Sequence, residues 1–308
     1  MEKPIRLEPE YKEMIWGGEG LKTMFNRSIP GSKIGESWEI HENNKVIGSK
    51  GTLKDLLKNP DIMGEKISKL NEFPLLVKII TAEDDLSIQV HPDDEYANKA
   101  ERKPFGKTEC WYVLEAPKDS KLIIGLKGIK DKEHLKKIID NNQIGDFLNY
   151  TDVKKGDFFY IPAGLVHAIT KNITILEVQQ TSDITYRIYD YDRLGLDGKP
   201  RELHIDKSLD VINLAEIPNP IIGTKKGNLT QFVSTPYFTI EKYDISASFQ
   251  MQLSGEDMSI FTCIEGSLML RYNGYEGVLG YGDSVIIPAI VLHVEVSGNG
   301  VLMKSSYQ

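Results

Sequence analysis

Short apolar runs rich in Val, Ile, Phe and Tyr recur along this chain, each bounded by Gly, Pro, Asn, Asp or charged residues. FPLLVKII, DLSIQVH, CWYVLEA, KLIIGL, DFFYIPA, ITILEVQQ, SIFTCIEG, SLMLRYN and SVIIPA are the clearest. Such runs between turn residues predict strands, and so many of them predict a sandwich or barrel rather than a helical fold. Helical patterning is scarce. In KDKEHLKKIIDNNQIGDFLNY, 130–150, Leu135, Ile138, Ile139 and Ile144 recur at helical spacing and predict a small helical insertion. TLKDLLKNP predicts a short helix stopped by Pro60.

The strand pattern contains a repeat. GDFFYIPAGLVH, 156–167, and GDSVIIPAIVLH, 282–293, share Gly-Asp, Ile-Pro-Ala and a final His at identical spacing. Two copies of one β-fold are expected from this. The Pro-, Gly- and Lys-rich segment LAEIPNPIIGTKKGN, 214–228, reads as the linker between them. The expected domains are 1–218, with the insertion, and 219–308. The spacing of Gly156, Pro162, Gly164 and His167 resembles the second motif of the cupin superfamily. That resemblance implies two jelly-roll barrels, with His167 pointing into the first, onto a metal. The second copy has Ile290 where the first has Gly164.

Alternation then picks out candidate chemistry. In a strand, side chains two apart share a face, about 7 Å apart. In SIQVHPDD, Ile88 and Val90 face one way, and Ser87, Gln89 and His91 face the other. In GKTECWYVL, Lys107, Glu109, Trp111 and Val113 share a face, leaving Cys110 opposite as core. A buried carboxylate and ammonium need partners, and a divalent cation would partner Glu109. Gln89, His91, Glu109 and His167 together suit Zn²⁺ or another borderline divalent ion, one per chain. Taken alone, a strand histidine followed by Pro92 reads as a capped, hydrogen-bonded strand end and not as a ligand. His41 reads as a turn residue, His134 as part of the polar insertion helix, and His204 as following a loop. His293 occupies the ligand position of a second copy that lacks the other ligands, so that copy is expected to be metal-free.

Composition narrows the partners. The 308 residues carry 37 basic and 45 acidic side chains, a net charge of −8, which argues against a nucleic-acid or anionic-membrane partner. No apolar run is long enough to span a bilayer. Cys110 and Cys263 have no finger or redox spacing, and the charged N-terminal MEKPIRLEPEYKEMIW has no apolar leader core, so a cytoplasmic location is expected. The pattern carries no signal of oligomeric state.

Taken together, WGG at 16–18, KIGESWEI at 33–40, QVHPDD at 89–94, GKTECWYVL at 106–114, IPAGLVHAI at 161–169 and EVQQTSDITYRIYDYDR at 177–193 resemble the type I mannose-6-phosphate isomerase family in its short bacterial form. The resemblance covers nearly the whole chain. It implies Gln89, His91, Glu109 and His167 as zinc ligands, Arg187 as an active-site arginine, and Lys107 and Asp183 as further catalytic positions. It implies interconversion of mannose 6-phosphate and fructose 6-phosphate through a metal-stabilised cis-enediol. In this sequence Glu109 follows His91 by 18 residues, and Gln89 stands where most cupins have a first histidine, which loosens any analogy with oxygenase cupins. Lys107 reads as base or proton shuttle, or as an ion-pair partner of Glu109 or phosphate; Glu177 is a second candidate base. Arg187 cannot act as a base; Asp183, four residues earlier, is expected to orient it. Arg193, Lys199, Arg201 and the WGG loop are candidate phosphate contacts. Two alternatives stand beside this reading: another cupin enzyme, such as a different sugar-phosphate isomerase or an oxygenase, and a non-catalytic sugar-binding cupin.

Overall fold

The computed structural model describes residues 3–214 and 218–308 of the chain. It is mainly β. The strands are β1 Glu10–Gly18, β2 Ile34–Ile40, β3 Leu75–Thr81, β4 Ile88–Val90, β5 Glu109–Glu115, β6 Lys121–Leu126, β7 Leu148–Asp152, β8 Phe158–Ile161, β9 His167–Ala168, β10 Thr174–Gln180 and β11 Tyr186–Tyr189. They continue with β12 Thr224–Lys226, β13 Leu229–Ser234, β14 Phe238–Ile245, β15 Phe249–Gln252, β16 Ser259–Tyr272, β17 Tyr275–Gly280, β18 Ser284–Ile287 and β19 His293–Tyr307. Two compact units form, both discontinuous in sequence: one takes 1–10, 38–78 and 222–308, the other 11–37 and 79–221.

The unit that carries the candidate chemistry draws on two open sheets, ordered β1-β2-β3-β10-β5-β8 and β11-β4-β9-β6-β7. Alternation explains how they pack. Trp111 and Val113 of β5, Phe159 and Ile161 of β8 and Ile175 of β10 meet Leu122 and Ile124 of β6 in one buried cluster. The opposite face of the five-stranded sheet presents Ile88, Val90, Ile123, Ala168, Tyr186 and Ile188. The helix Lys132–Asp140 covers that face with Leu135 and Ile138, so the insertion exists to bury an outer apolar surface. The helix is shorter than the run 130–150 implies. Asp131 caps its start by accepting the His134 N–H, Asn142 adopts φ 60 just past its end, and the remainder becomes a 3₁₀ turn and β7.

The other unit is built on an eight-stranded antiparallel sheet with its own core, including Phe261, Leu270, Val285, Ile287, Val294 and Leu302. SIFTCIEG and SLMLRYN are not two strands here. They form the single strand β16: Ile264 is the extra residue where the register shifts between Cys263 and Glu265, and Gly266, at φ 70 and opposite Gly300, lies within the strand and not at a turn. Pro60 likewise does not stop a helix. Leu53–Leu56 is a 3₁₀ turn, and Pro60 opens the next helix, Pro60–Met63, behind the Asn59 cap. In the proposed linker, Ala215, Glu216 and Ile217 lie outside the described residues, and Thr224–Lys226 is a strand.

Candidate metal centre

Cross-strand register assembles the site. Arg187 on β11 lies opposite Gln89 on β4, and Gln89 lies opposite His167 on β9, so these three side chains form one row across the five-stranded sheet. In the six-stranded sheet Glu109 on β5 lies opposite Gln179 on β10 and Ile161 on β8. His91 follows the end of β4, where its carbonyl accepts the Gly164 N–H at 2.8 Å. Directly opposed residues point to the same face of a sheet. The interior between the sheets is therefore apolar along most of its length and polar at this end.

His91, Glu109 and His167 are each 1% exposed. Their nearest ligand atoms all lie within 4.8 Å of one another. His91 Nε2 is 3.6 Å from Glu109 Oε2, and His167 Nε2 is 3.3 Å from Glu109 Oε1. On the far side of each ring Nδ1 meets a backbone carbonyl at 2.8 Å, that of Ile184 for His91 and that of Leu165 for His167. A carbonyl can only accept, so Nδ1 carries the proton in both rings and the Nε2 lone pairs face the carboxylate. Neither Glu109 oxygen accepts a hydrogen bond, though both are buried. Lys107, itself buried, sets its Nζ 3.4 Å from Glu109 Oε2. An ammonium at that distance offsets the carboxylate charge but leaves its lone pairs unused. Two imidazole lone pairs and two free carboxylate oxygens, converging in a dry site, fit a divalent ion. Gln89 lies against the cluster with its amide nitrogen 3.3 Å from His167 Nε2. A half-turn of the amide exchanges nitrogen for oxygen at that position.

A second ring of contacts, invisible in the strand pattern, holds this arrangement. The Asp94 carboxylate accepts the Gly106 N–H at 2.7 Å and the Gln180 amide at 2.8 Å, while Gln180 Oε1 accepts the Thr108 N–H at 2.9 Å. The Lys107 N–H donates to the Pro92 carbonyl at 2.9 Å. QVHPDD, GKTE and EVQQ are thus pinned to each other around Glu109. Asp94 and Gln180 do no visible chemistry, and only their place within those motifs signals them.

The other candidates separate. Arg187 is half-buried, with a buried Nε that has no partner; burial, and then the charge of Arg201, push its guanidinium below its ordinary value. It remains charged. Asp183 is exposed and makes no hydrogen bond or ion pair with Arg187, so the expected orienting contact is absent. Its loop is anchored on either side instead: the Ser182 carbonyl accepts from Gln179, and the Ile184 carbonyl meets His91. Glu177 is buried and accepts the Trp111 indole N–H at 2.8 Å. Arg193 and Arg201 both hold the buried carboxylate of Asp190, at 2.9 and 2.5 Å, and Lys199 is exposed. Burial alone would raise the Asp190 carboxyl, but its bonds to Arg201 and Arg193 outweigh that and hold it below its ordinary value. Trp16 is buried in the core. His41 packs edge-on against Trp38, His134 against Phe147, and His293 is exposed. His204 is more than a loop residue: it bonds to the backbone of Arg187.

The sequence matches two family models: phosphomannose isomerase type I, catalytic domain, over residues 5–127, and mannose-6-phosphate isomerase, cupin domain, over residues 228–307. It is 38% identical to probable mannose-6-phosphate isomerase GmuF of Bacillus subtilis, over 94% of each chain. It is 37% identical to a mannose-6-phosphate isomerase of Streptococcus mutans, over 97% of this chain and 96% of that one. The crystal structure of the mannose 6-phosphate isomerase from Bacillus subtilis superposes with a TM-score of 0.92 at 35% identity, covering 98% of this chain and 99% of that one.

Proposed function

Since the chain belongs to the type I mannose-6-phosphate isomerase family and is an aldose–ketose isomerase acting on mannose 6-phosphate, we propose that the reaction passes through a cis-enediol beside the His91–Glu109–His167 cluster. His91, Glu109 and His167, with the amide oxygen of Gln89, would hold one divalent ion per chain, which we take to be zinc. Bound there, such an ion would supply Lewis-acid polarisation of the sugar's reacting oxygens and would offset developing negative charge. The chain's own groups then have distinct tasks. Acting as a neutral amine, Lys107 Nζ, next to Glu109, accepts the proton from C2 and returns it to C1, while the hydroxyl proton passes from the C2 oxygen to the C1 oxygen across the cis-enediol. Arg187, charged throughout and in one row with Gln89 and His167, holds the developing oxyanion through its free N–H groups. Asp183, on the loop anchored by His91 and Gln179, accepts hydrogen bonds from the sugar hydroxyls at the rim. Glu177 is committed to Trp111 and serves the wall of the site.

The observation that carries this reading is the pair of buried Glu109 oxygens without hydrogen bonds, facing two imidazoles whose Nδ1 atoms are already engaged. A coupled assay on mannose 6-phosphate, run before and after chelation with metal analysis of the same sample, tests it. Turnover should disappear with the metal and return on adding zinc. A fully metal-loaded protein without turnover would defeat it.

We further read 1–218 as the metal-binding cupin domain and 219–308 as a degenerate, metal-free copy, each a jelly roll. The matching turns support this: Gly156 and Gly282 both adopt left-handed φ, 89 and 85, ahead of β8 and β18. Cytoplasmic carbohydrate metabolism is the setting we assign, since Cys110 and Cys263 are both free thiols in the core. No helix among the described residues is long and apolar enough to cross a membrane.

A further inference from the structure

β11 is the outer strand of its sheet, so backbone groups on its far side have no strand to meet. At Arg187 both such groups are met by one residue. The Arg187 N–H donates to His204 Nδ1 at 3.3 Å, and the His204 N–H donates to the Arg187 carbonyl at 2.8 Å. The register between β11 and β4 slips directly after Arg187, so regular pairing on the inner side is interrupted next to this residue. His204 is the N-cap of the helix Ile205–Val211, where a side chain usually bonds back to the first turn. Here it makes no such bond and faces β11 instead, with its ring 5.9 Å from that of Tyr186.

We propose that His204 is a positioning residue for the isomerisation: its two bonds to the Arg187 backbone hold the guanidinium in the row with Gln89 and His167. This rests on the role assigned above to Arg187. The clip requires an unprotonated Nδ1, hence a neutral imidazole. The charged and titratable groups around that ring are Glu202, 3.8 Å from Nε2, the side chains of Arg187, Lys207 and Glu101, and the Tyr186 hydroxyl on β11. Burial first, opposed by Glu202 and helped by Arg187 and Lys207, lowers the imidazole from its ordinary value. A histidine lowered in the fold is neutral, and the clip complete, above the ordinary value of about 6.5. The clip is lost as the pH falls from there through the lowered value, so it contributes to the acid side of the rate profile.

The test is a cycle of His204→Ala and Arg187→Ala, with His204→Asn as the conservative variant, read by kcat, KM, metal content and thermal midpoint. His204→Ala should lower kcat about 3- to 10-fold, the worth of one hydrogen bond, with metal content unchanged. Asn can accept the same N–H through Oδ1, so it should restore kcat to within about twofold. It should also flatten the acid limb, because an amide does not titrate. In the Arg187→Ala background, His204→Ala should change nothing further. Equal losses in the Ala and Asn variants, wild-type kcat in His204→Ala, or the same fold-loss on both backgrounds would each overturn the positioning role. If His204→Ala fails to fold, the Asn variant's kcat and acid limb decide alone. Wild-type turnover in Arg187→Ala would instead remove the arginine from the mechanism, a separable failure.

Discussion

Gly164→Ala is the substitution that most directly tests how the fold positions its imidazoles. Gly164 lies in the turn between β8 and β9, at φ 86. Its N–H holds the His91 carbonyl at 2.8 Å, and its own carbonyl accepts the Asn213 N–H at 2.9 Å. His167 follows three residues later, so one turn carries one imidazole and anchors the other. A Cβ added here would stand 2.9 Å from the Val211 carbonyl oxygen and 3.1 Å from Asn213 Cβ. The left-handed backbone costs a residue with a Cβ about 1–2 kcal/mol. Crowding against main chain that cannot rotate away adds about 1–3 kcal/mol. Relaxation shares these terms, giving an expected loss of about 2–4 kcal/mol. Urea titration should show it as a lower midpoint at unchanged slope. Turnover, measured where the variant is still fully folded, should fall as well, because relief of the contact moves the anchor of His91 and the turn before His167. The control is Ile290→Gly at the equivalent place in the second copy. That backbone is not left-handed and its side chain is 48% exposed, so the expected change is about 1 kcal/mol or less. A loss below about 0.5 kcal/mol in Gly164→Ala, or one no larger than that of Ile290→Gly, would refute the reasoning.

Three further outcomes follow from the site. Lys107→Met should lower kcat by about 100-fold or more while metal analysis stays unchanged; retained turnover would remove Lys107 from proton transfer. Glu109→Gln keeps the shape but removes the sole carboxylate of the cluster, so bound metal per chain should fall sharply after dialysis, and full retention would contradict the ligand assignment. Asp190→Ala leaves Arg193 and Arg201 without their shared carboxylate and should cost about 3–5 kcal/mol by denaturant titration. Because the Asp190 carboxyl is lowered, its contribution is complete above the ordinary carboxylate value and is lost as pH falls through the folded one. The difference between wild type and Asp190→Ala should therefore shrink in acid, and a gap that is constant or widens there would reject the assignment.

Much of the centre was legible because strand alternation is a strict geometric rule. It picked out Gln89, His91 and Glu109, and it put Ile88 and Val90, which are core, on the opposite face. Motif spacing, not alternation, located His167; alternation placed His91 correctly although β4 ends one residue before it, at Val90. What escaped the sequence depends on contacts between distant segments. The slip after Arg187 is set by pairing with β4, and no local residue announces it. Asp94 binds Gly106 and Gln180 across 12 and 86 positions, and His204 binds Arg187 across 17. Asp183 was expected on Arg187 because they are close in sequence, but the intervening chain is held by His91 and Gln179, and Asp183 stays in solvent. Gly266 and Pro60 misled for a related reason: each is compatible with a stop, yet pairing continued β16 through one and Asn59 capped a new helix at the other.

The two copies of the Gly-Asp, Pro-Ala, His turn show what the local motif can and cannot specify. Both fold as a short strand, a turn and a further strand opening on the histidine, β8 to β9 and β18 to β19. Yet His167 is 1% exposed, whereas His293 is exposed and sits opposite Gln252. The motif sets the path of the backbone, and the neighbours decide whether the imidazole meets solvent or ligands. Around His167 those neighbours are Gln89 on the adjacent strand and Glu109 from the other sheet, with Leu165 fixing the tautomer. Moving the histidine alone between copies would therefore move no chemistry. Transfer would require the opposing carboxylate, the second imidazole and the left-handed glycine that ties the turn to it.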